Sequence, residues 1–489
     1  MRQTFQNLRS VPLSTSLLAV IAGIVAKLSL TTGDLLPGLD GAYYWVQVRS
    51  VLENQTLAFS DLPLVFWIQA AIAKVVGNVM LAVRISDAVL PAMSAIPIYF
   101  IAKKYRKPFL PAIAILVVLL HPIQLYFFTG DFIKNEATIP VVFFMALVLV
   151  NWDKKSKRFS ILALTGLTIL ISVSHFGTLL LAFALVGNWA LLQLRTSDLK
   201  FWLRGVAAAL LAFASLLATL AILVPSRYER LINFLTTPSN IFQYPALDRI
   251  LHGPLLSVMN IVIILSQVST LVLAAITWHS RSKFTFSELS LVISSLITTF
   301  VFSSPFIGME WSDRLTGLSI VSLSIAAIIV FGTVEVRWQK FLIAVLAGVT
   351  FLSTLPLSTL NRNQVFSNLE YSEFKDLVDK VEIPSNSIII ARHGVEFLSA
   401  WEFNRDVVLE TYYDSADVSS YASVYYIQEI GKSVAGKGGG GSKPTNPPIG
   451  KGLSDKDGKT GISSDVPDKV TISGETVYSN SSFALVKVR

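Results

Sequence analysis

The sequence predicts an all-α polytopic membrane protein, about eleven transmembrane helices long, with a small α/β or α+β domain at its C-terminal end. Three observations predict it. Only 15% of the 489 residues are charged, against about 25% in soluble domains. The mean hydropathy is +0.59. Windows without charge recur at close to the roughly 20 residues that a helix needs to cross a bilayer. The candidate spans, some holding one or two charged residues, are 11–30, 79–102, 108–126, 137–152, 159–174, 177–194, 204–224, 254–278, 289–304, 314–333 and 338–356. The domain division that follows is a membrane domain over 1–360 and a soluble domain over 361–489. No solenoid period recurs.

The first window opens like a signal peptide, with Arg2 and Arg9 before an apolar run. No small-residue cleavage site follows and Lys27 interrupts its end, so it reads as a retained span. The windows 137–152 and 159–174 are short and leave room for a tilt or a re-entrant segment. Alternate connections carry the basic residues. One side holds Arg2, Arg9, Lys103, Lys104, Arg106, Lys107, Lys154, Lys155, Lys157, Arg158, Arg195, Lys200, Arg281, Lys283, Arg337 and Lys340. The other has only Arg49, Lys74, Lys134, Arg227, Arg230 and Arg249 over much longer loops. Because cytoplasmic loops are enriched in Lys and Arg, the N-terminus is expected in the cytoplasm and the C-terminal domain outside. The net charge of +8 thus records topology rather than a nucleic-acid partner. With no cysteine in the chain, disulfides and thiolate chemistry are excluded.

The expected outer loops are 31–78, 127–136, a turn near His175, 225–253 and 303–313. They hold Asp34, Asp40, Asp61, Asp131, Glu136, His175, Asp248, His252, Glu310 and Asp313. In the tail, the spacing of Phe374, Leu377, Val378 and Val381 predicts a helix over 370–381. Strands are expected at 387–391, 407–410, 423–427, 469–472 and 484–488. Residues 436–451 form a Gly/Lys/Ser/Pro tract that reads as a loop or linker.

Two stretches have residues suited to chemistry. In Leu39-Asp40-Gly41-Ala42-Tyr43-Tyr44-Trp45, a carboxylate meets interfacial aromatics just before a helical pattern. Asp40 is either a general base for an acceptor hydroxyl or the helix N-cap, and Asp61 before Pro63 has the same two readings. The second stretch, Gly130-Asp131-Phe132-Ile133-Lys134-Asn135-Glu136, sets two carboxylates, an ammonium and an amide between apolar helices. Glu136 suits a helix N-terminus, and oxygen donors from Asp40, Asp131 and Glu136 suit magnesium or manganese. An ordinary polar loop is the plainer alternative.

Over these two stretches and in overall layout, the chain resembles the GT-C glycosyltransferases, which include oligosaccharyltransferases, protein O-mannosyltransferases and the lipid A aminoarabinose transferase. The resemblance implies transfer of a sugar, with inversion, from a polyprenyl-phosphate or pyrophosphate carrier to a protein, lipid or glycan acceptor at the outer face of the bilayer. It implies a catalytic role for Asp40, and roles in metal or acceptor binding for Asp131 and Glu136. The chain departs from the family in lacking a Trp-Trp-Asp acceptor motif and in having Gly41 after Asp40 where some branches have Glu.

Within that frame Arg314 is a candidate phosphate clamp, with an ion pair to Glu310 or Asp313 as the alternative. Tyr43, Tyr44 and Trp45 are candidates for holding lipid or sugar. Lys134, His175 and Arg227 are candidate substrate contacts, His175 having a simple turn role as its alternative. Arg84 and Asp87 are expected to pair with each other. Arg392-His393-Gly394 and Trp401 read mainly as domain structure. Asn54-Gln55-Thr56 and Asn480-Ser481-Ser482 match the glycosylation pattern. Rival readings are a lipid-linked glycan polymerase or ligase using the arginines of 225–253, and a transporter or flippase, which calls for ionisable residues deep in the spans.

Overall fold

The computed structural model describes residues 13–193 except 32 and 155, scattered positions in 213–252, then 258–334, 365–430 and 472–489. The chain divides into two compact units, Met1–Leu30 with Ile85–Asn361, and Thr31–Arg84 with Arg362–Arg489. The segment 31–84 thus clusters with the C-terminal tail.

The first unit is helical. Five helices among the described residues are long and apolar enough to span a bilayer, and a sixth span forms if Leu110–Leu120 and Pro122–Thr129 count as one bent by 40°. The chain is therefore a multi-pass membrane protein. Nine of the eleven expected spans fall on helices, including the shorter Leu13–Ser29, Lys157–Ser172 and Phe286–Phe302. All of 338–356 and most of 204–224 lie outside the described residues, as does the 436–451 tract. The expected straight span at 108–126 is corrected to a broken one. Proline disfavours helical backbone in the residue before it, and His121 accordingly has ψ 138 and caps the second piece by accepting the Ile123 N–H.

Small residues draw the membrane helices together, as expected where no hydrophobic force acts between helices in lipid. Thr299 and Ser322 hydroxyls meet at 2.9 Å, and Ser287 donates to the Leu149 carbonyl at 2.7 Å. Gly317 is packed so closely that a Cβ would lie 2.0 Å from Cζ of fully buried Phe127. Gly317→Ala should therefore destabilise by about 1–3 kcal/mol through overpacking, read as a lower melting temperature in detergent. At one end, Lys107 donates to the Phe331 and Val334 carbonyls, and Lys104 pairs with Glu288 at 2.6 Å. Basic groups suit the last turn of a helix in this way.

The second unit holds a five-stranded mixed sheet in the order β2-β1-β3-β5-β4, with β1 Ser387–Ala391, β2 Asp406–Leu409, β3 Ser423–Glu429, β4 Glu475–Ser479 and β5 Phe483–Lys487. β1 runs parallel to β2 and β3, and the remaining pairs are antiparallel. The run Ser-Ile-Ile-Ile-Ala is buried throughout, as a central parallel strand covered on both faces should be. The strand expected at 469–472 lies outside the described residues except for its last, and β4 is a strand that the sequence reading did not name. The helix Asn368–Lys380 starts with a capping box between Ser367 and Glu370. Helix Val395–Phe403, which the sequence reading did not separate from its flanking strands, connects β1 to β2. Asn480 accepts from the Ser482 and Phe483 N–H groups, so its pattern match marks the β4–β5 turn.

Candidate active site

Asp40 sits at the N-terminus of helix Gly41–Asn54 but makes no side-chain capping hydrogen bond. The capping alternative therefore leaves its carboxylate unexplained. Its Oδ1 lies 3.7 Å from Nε2 of His393, and both side chains are 42% exposed. The other ring nitrogen of His393 meets the fully buried Glu396 Oε1 at 2.9 Å. Burial alone would lower the imidazole, but the hydrogen bond and charge of Glu396, with the charge of Asp40, push it up to about 9 against the opposing Arg392. Burial raises Glu396 as well.

The helix bearing Asp40 is fixed from both ends. Tyr43 donates to Asp61 Oδ2 at 2.5 Å and packs its ring among Tyr44, Phe59, Phe66 and Phe397. Asp61 is thus an acceptor for Tyr43, and the position before helix Leu64–Val76 is Pro63. Arg49 donates to the Ala400 and Trp401 carbonyls at 2.7 Å each and lies over the Trp401 ring. Tyr44 and Trp45 are buried, Trp45 against Trp401. Arg84 donates to the Gly33 and Asp34 carbonyls, which corrects the expected pairing with Asp87.

The first unit gathers a different set. The turn between helices Pro122–Thr129 and Ile133–Val150 is only three residues long, and Asp131 within it has φ +55. Asp is among the few non-glycine residues that enter this region readily. Asp131, Glu136 and Asp87 are each at most 1% exposed. Lys27, equally buried, pairs with Glu136 Oε1 at 2.6 Å and lies over the Phe128 ring. Asp87 feels the charges of Glu136, Lys27 and Asp131. The paired Lys27 and Glu136 thus share this buried region with the charges of Asp87 and Asp131.

The expected site residues therefore divide. Asp40, Tyr43 and Tyr44 belong to one unit, Asp131 and Glu136 to the other. His175 Nδ1 accepts the Thr178 N–H at 3.1 Å, serving the following helix as a cap. Lys134 is half-buried at the start of helix Ile133–Val150, and Arg314 is half-buried in the second turn of helix Met309–Thr333. Arg227 lies outside the described residues. Sequence reasoning undervalued three residues: His393, Lys27 and Asp87. The signals were a His and a Glu three apart, His393 and Glu396, and ionisable residues inside apolar windows, which in membranes are rare without a purpose. For magnesium or manganese, carboxylate oxygens must converge, and among the described residues no three His, Cys, Asp or Glu side chains do so.

No protein-family model and no curated protein matches the chain. Solved structures do. ArnT from Cupriavidus metallidurans bound to undecaprenyl phosphate is similar with a TM-score of 0.55 at 11% identity, covering 97% of this chain and 98% of that one. Its apo form gives a TM-score of 0.52 at 12% identity, covering 84% and 92%. The chain is therefore similar in fold to ArnT.

Proposed function

We propose that the chain is a membrane glycosyltransferase that moves a sugar from a polyprenyl-phosphate or pyrophosphate carrier to an acceptor at the outer face of the membrane, with inversion. The observation that carries the proposal is Asp40, a carboxylate that caps nothing, stays open to solvent and stands on a helix anchored by Arg49 and Tyr43. Its support is the fold shared with a transferase whose structure holds undecaprenyl phosphate.

In this reading Asp40 removes the acceptor proton as the acceptor oxygen attacks the anomeric carbon. The bond from that carbon to the carrier phosphate breaks and its electron pair leaves with the phosphate. Arg314 neutralises the developing charge, an electrostatic contribution of the kind that often dominates catalysis. Lys134, His175 and Arg227 serve as further donor contacts and Tyr43 as a sugar or lipid platform. Asp131 and Glu136, the latter paired with Lys27, position acceptor or metal. The distribution of basic residues supports a cytoplasmic N-terminus and a C-terminal domain outside.

The test is sugar transfer by purified protein from a panel of radiolabelled polyprenyl-phosphate sugars, with EDTA in a parallel tube to decide metal dependence. Undecaprenyl phosphate at about 100 times its dissociation constant should also stabilise the protein by about 2.7 kcal/mol. Neither transfer nor stabilisation with any carrier would sink the proposal. One observation favours a second reading, a carrier that moves the lipid-linked sugar across the bilayer. It is the buried Lys27, Asp87 and Glu136 group inside the spans. Translocation without sugar transfer in vesicles would select it.

A further inference from the structure

The stretch Ala391-Arg392-His393-Gly394-Val395-Glu396 changes direction within three residues, from the end of β1 to the start of helix Val395–Phe403. Gly394 allows this with φ +89, a conformation that side-chain-bearing residues rarely adopt. A Cβ at Gly394 would lie 3.4 Å from the carbonyl oxygen of Leu39, the residue before Asp40. The turn therefore lies directly against the Asp40 loop.

We propose that His393 is a positioning residue for Asp40: its imidazolium, anchored on buried Glu396, orients the carboxylate that receives the acceptor proton. The inference rests on the reading of Asp40 as general base and adds to it a residue from the C-terminal domain.

Hydrogen-bond chemistry supports it. A neutral imidazole has one N–H and one lone pair, yet His393 faces a carboxylate with each nitrogen, Glu396 at 2.9 Å and Asp40 at 3.7 Å. With Glu396 ionised, both contacts are favourable when both nitrogens are protonated. When the ring loses a proton, buried Glu396 keeps the remaining N–H, because an unpaired buried carboxylate is the costlier outcome. Asp40 then faces a lone pair. The 3.7 Å separation is an ion-pair distance, and catalytic hydrogen bonds often tighten only when substrate is bound. An exposed ion pair alone contributes little. Here the ring is held on one side by Glu396 and packs edge-on against Phe397, centroids 6.0 Å apart. The third charged neighbour, Arg392, donates to both Glu429 carboxylate oxygens and to the Val365 carbonyl. During transfer the acceptor O–H bond breaks and its proton goes to Asp40, while His393 keeps both of its own.

Two measurements test the proposal on the full chain. The first is an NMR pH titration of histidine-labelled protein in detergent, the His393 signal being identified among five histidines by its absence in His393→Gln. The ring should titrate near 9 and at lower pH in both Glu396→Gln and Asp40→Asn. The second is the pH dependence of sugar transfer. The wild type should lose kcat with a basic limb near 9, Glu396→Gln should move that limb down, and His393→Gln should abolish it. A misplaced reacting group costs about 10²-fold, so kcat of His393→Gln should fall by about that factor with little change in KM. A ring midpoint near the unperturbed value of about 6.5 that ignores Asp40→Asn overturns the proposal. So does a His393→Gln enzyme with wild-type kcat and an unchanged limb. Absence of any transfer by the wild type instead overturns the transferase reading and with it the role of His393, and the titration then still reports whether the two side chains are coupled.

Discussion

Asp40→Asn is expected to lower sugar transfer by about 10²- to 10⁴-fold, the usual contribution of a positioned general base, and to leave the melting temperature nearly unchanged. The two halves of this expected result come from one geometry. Because the carboxylate makes no capping hydrogen bond and is 42% exposed, an isosteric amide removes basicity at the cost of only an exposed ion pair with His393, which contributes little to stability. The measurement is initial-rate transfer from a radiolabelled polyprenyl-phosphate sugar, beside thermal unfolding of the same preparation. Full activity in the variant would take Asp40 out of the mechanism. A large fall in melting temperature would mean that the residue is structural after all.

The second large effect concerns stability. Lys27→Met leaves Glu136 without its ammonium at a site that is 0% exposed, and breaking a buried pair from one side typically destabilises by about 3–5 kcal/mol. A double variant, Lys27→Met with Glu136→Gln, removes the stranded charge and should recover most of the loss. Thermal unfolding in detergent of the single and double variants distinguishes this from a simple packing defect, in which the second substitution would bring no recovery. If Lys27→Met unfolds like the wild type, the pair is not what holds these helices.

The membrane helices and the sheet were legible because hydrophobic runs and buried strands write themselves into composition. Ser-Ile-Ile-Ile-Ala at β1 and the serine of the capping box at Ser367 are local signals. The break at His121 was legible too, in Pro122, but a 19-residue apolar window averages over it. What the sequence did not reveal is long-range. Asp40 was found as a carboxylate beside aromatics, yet its neighbour His393 comes from far along the chain, and nothing in either stretch names the other. Arg84 looked like a partner for Asp87 because they are three residues apart, but backbone carbonyls at Gly33 and Asp34 took the guanidinium instead. Lys27 looked like the frayed end of a span, and its counter-ion lies 109 residues away. Local spacing sets which residues share a face, and tertiary packing alone sets which faces meet.

That separation of 109 residues bears on how the protein is made. Ribosomes extend a chain at about 5–20 residues per second, so Lys27 is synthesised roughly 5 to 20 seconds before Glu136. A lysine near a helix end can meanwhile extend its ammonium toward the interface, keeping the first helix in a provisional seat. The Lys27–Glu136 pair can thus form only after helix Ile133–Val150 has been made.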